Sequence, residues 1–351
     1  MEPAIATEHL SRHFTIGRGR NRRRIEAVAG LDLTVAPGER LAFIGPNGAG
    51  KSTSIKMLTG ILRPTAGRAR VLGLEPWSQR RDLARRIGTL FGQRSQLWAE
   101  LPPTASFALL GALFGVDGAE CRRRQGELGE LLEATELFQQ PVRTMSLGQR
   151  MRCELAASML HQPELLFLDE PTIGLDLLGK RLFRHLLVRL NTQLGTTVFL
   201  TSHDVSDIEH VAERAVVVNQ GGVIYDAPVD RMRRRFLSTK RIELRLHGPG
   251  DPDAVEVPTT TGAMGDEVGS ASSGADAHRD PLGGLSLGPG ATVVTDDAET
   301  DVLRIDVDTR QQAIDDVLGA LLAARLPVVD LSVLDPPLEQ IIGDIYAGET
   351  S

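Results

Sequence analysis

Gly45-Pro46-Asn47-Gly48-Ala49-Gly50-Lys51-Ser52-Thr53 is the stretch whose reading decides this chain. It follows the apolar run Arg40-Leu-Ala-Phe-Ile44 and precedes Ser54-Ile-Lys-Met-Leu-Thr-Gly60, which has helical spacing. Strand, glycine-rich turn and helix, spaced G-x-x-x-x-G-K-[ST], describe a phosphate-binding loop. Gly45, Gly48 and Gly50 let the backbone turn tightly and point its N–H groups inward. The helix N-terminus that follows adds partial positive charge toward an anion. Lys51 is expected to reach the outer phosphates of a nucleotide, and the Ser52 hydroxyl to ligate Mg²⁺.

Downstream, Leu165-Leu-Phe-Leu-Asp169-Glu170-Pro171 reads as a buried strand delivering two carboxylates to its C-terminal end. In open parallel sheets ligands bind at that edge. Asp169 is expected to hold Mg²⁺ directly or through water, and Glu170 to orient or deprotonate an attacking water. Two acids after a strand also suit the cap of a following helix; Lys51 upstream favours the catalytic reading. A further buried strand, Thr196-Thr-Val-Phe-Leu-Thr-Ser202, ends at His203-Asp204. A histidine there is placed to donate a hydrogen bond to a γ-phosphate. Ala215–Tyr225 closes as a hairpin around Gly221-Gly222.

Upstream, residues 4–14 and 26–35 alternate as two antiparallel strands. The basic run Gly17–Arg24 between them is a solvated loop or a docking patch for acidic surfaces, the former being favoured. Phe14 is either a purine-stacking ring or a plain core residue. After the phosphate loop come a turn at Arg63–Gly67 and short strands at Ala69–Gly73 and Arg85–Gly92, the latter reaching Gln93. From about 100 to 160 the pattern is helical, and Ser146 is an N-cap candidate for the helix Met151–Leu160.

The chain has 351 residues and a net charge of −7, but the charge is uneven. Residues 1–240 carry 33 Lys+Arg against 25 Asp+Glu; residues 241–351 carry 6 against 21. A basic front and an acidic tail point to separate domains. Two cysteines, Cys121 and Cys153, cannot make a disulfide framework and are expected as buried thiols in a reducing compartment. The opening residues lack a basic start and a long apolar core, so no secretory signal is expected. The apolar run Ala105–Val116 is too short to span a bilayer, which takes about 20 residues.

Together these motifs resemble an ATP-binding cassette (ABC) transporter ATPase over about residues 4–230. The resemblance implies an α/β fold: a P-loop NTPase with a RecA-like core, an antiparallel β subdomain and a helical subdomain near 94–160. It makes Gly45–Thr53 the Walker A loop and Gln93 the Q-loop residue, acting on Mg²⁺ and water. Ser146-Leu-Gly148-Gln149 becomes the signature, Leu165–Glu170 Walker B, and Gly174-Leu-Asp176 the D-loop. His203 becomes the switch histidine and Phe14 the adenine-stacking aromatic. The family's usual signature is Leu-Ser-Gly-Gly-Gln, so Met145 and Leu147 depart from it, and Leu147 adds a side chain at a close approach. In this family two cassettes pair head to tail around ATP, so the chain is expected to need a second copy or a paired cassette, together with transmembrane permease subunits.

Phe91–Pro102 and Pro171–Leu178 are similar to exporter-type bacterial cassettes, including ones associated with drug and viologen efflux. Leu97 and Trp98 would lie where such cassettes receive a membrane subunit; packing in the helical insert explains them equally well. The expected place is the cytoplasmic face of the cell membrane. A cassette acting on nucleic acid or ribosomes, or energising an importer, is the alternative. Nucleic acid is not expected, because neither tandem cassettes nor a coiled-coil insertion is present.

The cassette is expected to occupy 1–238 and an acidic α+β accessory domain 239–351. Within the latter, about 247–290 is rich in Gly, Ser, Thr, Asp and Pro and reads as a flexible insert. Strands at Arg241–Leu246, Val302–Val307 and Pro327–Leu334, with helices at Arg310–Ala324 and Pro336–Tyr346, complete it. Regulation, dimer contacts and passive packing are equal readings of its role.

Overall fold

Four apolar runs form the centre of the cassette. In the computed structural model, β3 (Arg40–Ile44), β5 (Ile87–Phe91), β6 (Leu165–Asp169) and β7 (Thr197–Ser202) are parallel. With β8 (Arg214–Asn219) and β9 (Gly222–Pro228) they make a six-stranded sheet in the order β5-β6-β7-β3-β8-β9. The β8–β9 pair is antiparallel, the hairpin expected around Gly221. The structure describes residues 2–16, 22–91, 95–202, 204–236, 239–246, 287–297, 302–309, 311–324, 326, 328–334, 343 and 345.

The two-residue period of a strand sorts its side chains between the faces of this sheet. Leu165 and Phe167 enter one core with Phe43, Phe199 and the helix α1 (Lys51–Leu58). Leu166 and Leu168 enter the other, shared with the helical region. Phe199 lies 5.4 Å, ring centre to ring centre, from both Phe43 and Phe167. Alternation therefore carries Asp169 to the face that holds α1. Both faces are covered, which is why these strands read as unbroken apolar runs.

A second, antiparallel sheet has the order β2-β1-β4, from β1 (Ile5–Ile16), β2 (Arg23–Val35) and β4 (Ala66–Val71). β4 begins earlier than the expected strand, because it pairs with β1 through Ser11↔Ala66. A short helix, α2 (Arg80–Ala84), precedes β5. The helical region contains α3 (Pro103–Phe114), α4 (Gly118–Leu131) and α5 (Leu147–Met159). The Phe107 and Phe138 rings meet edge to face at 4.9 Å within it, and Cys121 and Cys153 are buried free thiols. Leu97 is in this core while Trp98 is 49% exposed, so the two neighbours divide between the readings open from sequence. Beyond β6 come α6 (Leu177–Leu194), α7 (Val205–Val211) and α8 (Val229–Phe236).

The chain divides into two compact units, Met1–Met232 with Ile342–Ser351, and Arg233–Ile341. The second has a four-stranded antiparallel sheet in the order β11-β12-β10-β13: β10 (Thr239–Leu246), β11 (Ala291–Asp297), β12 (Val302–Asp308) and β13 (Val328–Leu334). Ile242, Leu244, Leu303, Ile305 and Val307 pack against Val317 and Leu321 of α9 (Ile314–Ala323). That helix is shorter than the expected 310–324, and β11 has no counterpart among the expected strands, being rich in Thr and Asp. Residues 287–290 at the end of the expected flexible insert form a turn, with Leu287 buried; 247–286 lie outside the described residues, as does most of the expected final helix. No described helix is long and apolar enough to cross a membrane.

Candidate functional site

The phosphate-binding loop leaves β3 at Ile44 and enters α1 at Lys51. A Cβ at Gly45 would meet Val218 O at 2.6 Å, and one at Gly50 would meet Ala27 O at 2.2 Å. Gly50 also has φ +101°, a conformation that side chains resist. The first turn of α1 carries no acidic side chain, so its partial positive charge is uncancelled there. Lys51 is buried; its Nζ donates to Gly45 O at 2.6 Å and Pro46 O at 3.3 Å. The same Nζ lies 3.5 Å from Glu170 Oε1. Ser52 Oγ donates to Asp169 Oδ1 at 3.3 Å. Pro46, Asn47, Gly48, Gly50, Lys51, Ser52, Thr53, Asp169 and Glu170 line one open cleft of about 910 Å³, while Ala49 packs into the core beneath.

The Asp169 carboxylate and the Glu170 backbone are held from β7. Thr201, the register partner of Asp169, donates its hydroxyl to Asp169 Oδ1 at 2.7 Å. Glu170 N donates to Thr201 O at 3.1 Å and to Thr201 Oγ1 at 3.2 Å. Glu170 has φ +53°, which is uncommon for a residue with a side chain and marks stored strain.

The expected signature lies elsewhere. Ser146 caps α5: its Oγ accepts from Gln149 N at 3.2 Å, and Gln149 Oε1 accepts from Ser146 N at 2.9 Å. Asp176 caps α6, accepting from Gly179 N at 2.7 Å. Ser146, Gly148, Gln149 and Asp176 line a second cleft, which shares no lining residue with the first. Leu147, the departure from the usual signature, leans on Gly174 of the expected D-loop, its Cδ2 being 3.1 Å from where a Gly174 Cβ would stand. It lines the same cleft as Gly148.

Behind Glu170 lies a polar knot that no sequence motif announced. Asp207, fully buried, accepts from Arg184 Nε at 2.6 Å, Thr172 Oγ1 at 2.5 Å and Ser202 Oγ at 2.7 Å. Asp204 accepts from Lys180 Nζ at 2.6 Å and faces Arg184 at 3.2 Å. Burial opposes its charge, but the Lys180 hydrogen bond and the charges of Lys180 and Arg184 outweigh it and hold its carboxyl below the ordinary value. The knot joins the residues after Glu170, α6 and the residues on both sides of position 203. Its residues carry no distinguishing sequence signal, because α6 and α7 hold many other polar and charged side chains.

Phe14 sits on β1 opposite Ile25, with the Arg12 guanidinium carbon 4.7 Å from its ring centre, and it is not among the residues lining either cleft. Gln93 and His203 lie outside the described residues; β5 ends at Phe91, two positions before Gln93, and β7 at Ser202, immediately before His203.

A family profile described as "ABC transporter" matches residues 28–173. The daunorubicin resistance ATP-binding protein DrrA3 of Streptomyces coeruleorubidus is 34% identical over 316 residues, 90% of each chain. The bacitracin transport ATP-binding protein BcrA of Bacillus licheniformis is 31% identical, over 63% of this chain and 70% of its own. Among solved structures, CbiO1 of Clostridium perfringens superposes with a TM-score of 0.59 at 24% identity, covering 66% of this chain and 90% of that one. The dimeric bacterial cassette MJ0796 gives 0.55 at 25%, covering 64% and 98%. Fold, loop geometry and relatives agree: this chain belongs to the ABC transporter family and carries its ATPase cassette.

Proposed function

We propose that the chain is the ATP-hydrolysing subunit of an exporter, driving a small compound through separate membrane subunits from the cytoplasmic face of the membrane. The observation that carries the reading is the division of the site. The Lys51–Asp169–Glu170 cleft and the Ser146–Gly148–Asp176 cleft are disjoint on one chain. A complete site then needs the second cleft of another copy, or of a paired cassette, placed against the first. Relatives named for daunorubicin resistance and bacitracin transport support export.

In this reading the loop amides and Lys51 bind the phosphates, and Glu170 takes the proton of the attacking water. Gln93 and His203 contact that water and the γ-phosphate, and Phe14 stacks on adenine. The hydroxyl of Ser52 and the carboxylate of Asp169, 3.3 Å apart, are hard oxygen donors of the kind Mg²⁺ takes. Mg²⁺ bound there would neutralise charge on the β- and γ-phosphates. Trp98, exposed beside the buried Leu97, is the anchor offered to a membrane subunit.

Purified protein should release phosphate from ATP in a Mg²⁺-dependent, protein-concentration-dependent manner. Together with membrane subunits in vesicles, it should move an amphiphilic drug in an ATP-dependent way. No nucleotide binding would refute the ATPase reading, and hydrolysis without any stimulation or transport would refute the export reading.

A further inference from the structure

Thr201 has no role in any motif above, yet it bonds to the Asp169 carboxylate and to the backbone N–H of Glu170. We infer that Thr201 is a positioning residue that sets the orientation of Asp169 and Glu170 for metal and water. The inference rests on the ATPase reading of the Lys51 cleft.

Val198, Phe199 and Leu200 precede Thr201 on β7, and all are buried. A valine at 201 would serve the strand equally well, since β-branched residues of either kind suit strands. A buried hydroxyl is unfavourable unless it is hydrogen-bonded, so this one is best explained by its bonds. Thr201 is 0% exposed. Its single proton goes to Asp169 Oδ1 at 2.7 Å in preference to Leu168 O at 3.4 Å. Its lone pair and its own carbonyl together receive Glu170 N. The donated bond fixes one oxygen of Asp169, the same oxygen that Ser52 reaches. The accepted bonds hold the peptide of Glu170 where its φ is +53°. One side chain thus orients the acid expected to hold the metal and the acid expected to activate water. The parallel register Asp169↔Thr201 places it there.

The test compares wild type with Thr201→Val and Thr201→Ser. Mn²⁺, replacing Mg²⁺, is titrated by electron paramagnetic resonance in the presence of a non-hydrolysable ATP analogue, and ATP turnover is measured separately. Loss of a hydrogen bond to a charged acceptor predicts Mn²⁺ affinity about tenfold weaker in Thr201→Val. The kcat should fall at least as far, with KM for ATP within about threefold because the phosphate loop is untouched. Thr201→Ser, which keeps the hydroxyl, should stay within about threefold of wild type on every measure. Unchanged Mn²⁺ affinity in Thr201→Val, with wild type active, would overturn the inference and leave the cleft reading standing. An equal loss in Thr201→Ser would overturn it too, by assigning the effect to the methyl group. Wild-type protein that takes up no nucleotide would overturn both.

Discussion

Lys51 Nζ and Glu170 Oε1 stand 3.5 Å apart, so the cation of the phosphate loop and the acid at the end of β6 face each other across the cleft. Lys51 is further held by Gly45 O and Pro46 O of its own loop. On the proposed ATPase reading, the phosphates of a nucleotide compete with these oxygens for Nζ.

Replacing Glu170 with Gln removes the proton acceptor and keeps the shape. ATP binding should persist within a few fold while turnover falls by about 10²-fold or more. Phosphate release and nucleotide-binding titrations on the same preparation measure the two; unchanged turnover would exclude Glu170 as the base.

Lys51→Ala removes the charge but leaves the loop amides. Nucleotide affinity should drop at least about tenfold, the scale of a lost charge-assisted contact. Calorimetric titration with ATP is the check, and wild-type affinity would refute the assignment of Lys51 to the phosphates.

Gly50→Ala would put a Cβ 2.2 Å from Ala27 O at a backbone φ of +101°. Both faults lie in backbone, so neither relaxes cheaply. Destabilisation of about 2 kcal/mol or more and loss of ATP binding are expected, whereas Gly126→Ala, which meets nothing within 4 Å, should be tolerated. Urea unfolding of the two variants makes the comparison.

Arg184→Met leaves Asp207 buried without its cation, and a broken buried pair costs about 3–5 kcal/mol. Replacing both, as Arg184→Met with Asp207→Leu, should recover part of that loss. Denaturant midpoints for the single and double variants test this. A single variant as stable as wild type would show that Thr172 and Ser202 alone satisfy Asp207.

Burial pushes the Glu154 carboxyl above its ordinary value, and hydrogen bonds from Ser95 and Gln96 N offset only part of this. The folded protein then holds that proton more tightly than the unfolded chain. The stability contributed by Glu154 is full at pH below the ordinary carboxylate value and declines as pH rises through the raised one. Stability of wild type relative to Glu154→Gln should therefore fall as pH rises from the ordinary carboxylate value of about 4.5 through the raised one. Melting temperatures of both proteins across that range supply the measurement.

Much of the cleft was legible in advance because its chemistry is local. A strand, a turn with φ > 0 and a helix N-terminus lie within about twenty consecutive residues, so Gly45, Gly50, Lys51 and Ser52 announce themselves by spacing. Asp169 and Glu170 follow their apolar strand for the same reason. Thr201 and Asp207 could not be read this way. Asp169, which Thr201 holds, and Arg184, which pairs with Asp207, are 32 and 23 residues away in sequence and meet them only through strand register and helix packing. β11 escaped notice because its residues, Thr and Asp among them, become a strand only when β12 supplies the ladder.

The sequence by itself determined the phosphate loop, the parallel strands that flank it and the two acids, because each depends on neighbours along the chain. Tertiary structure alone decided that Asp169 falls on the face of α1, that Leu147 leans on Gly174, and that the residues around Lys51 and those around Ser146 open into separate clefts. Those outcomes depend on which strand lies beside which and on which side chain fills a given space. Such contacts are made across the fold, where residue spacing carries no record of them.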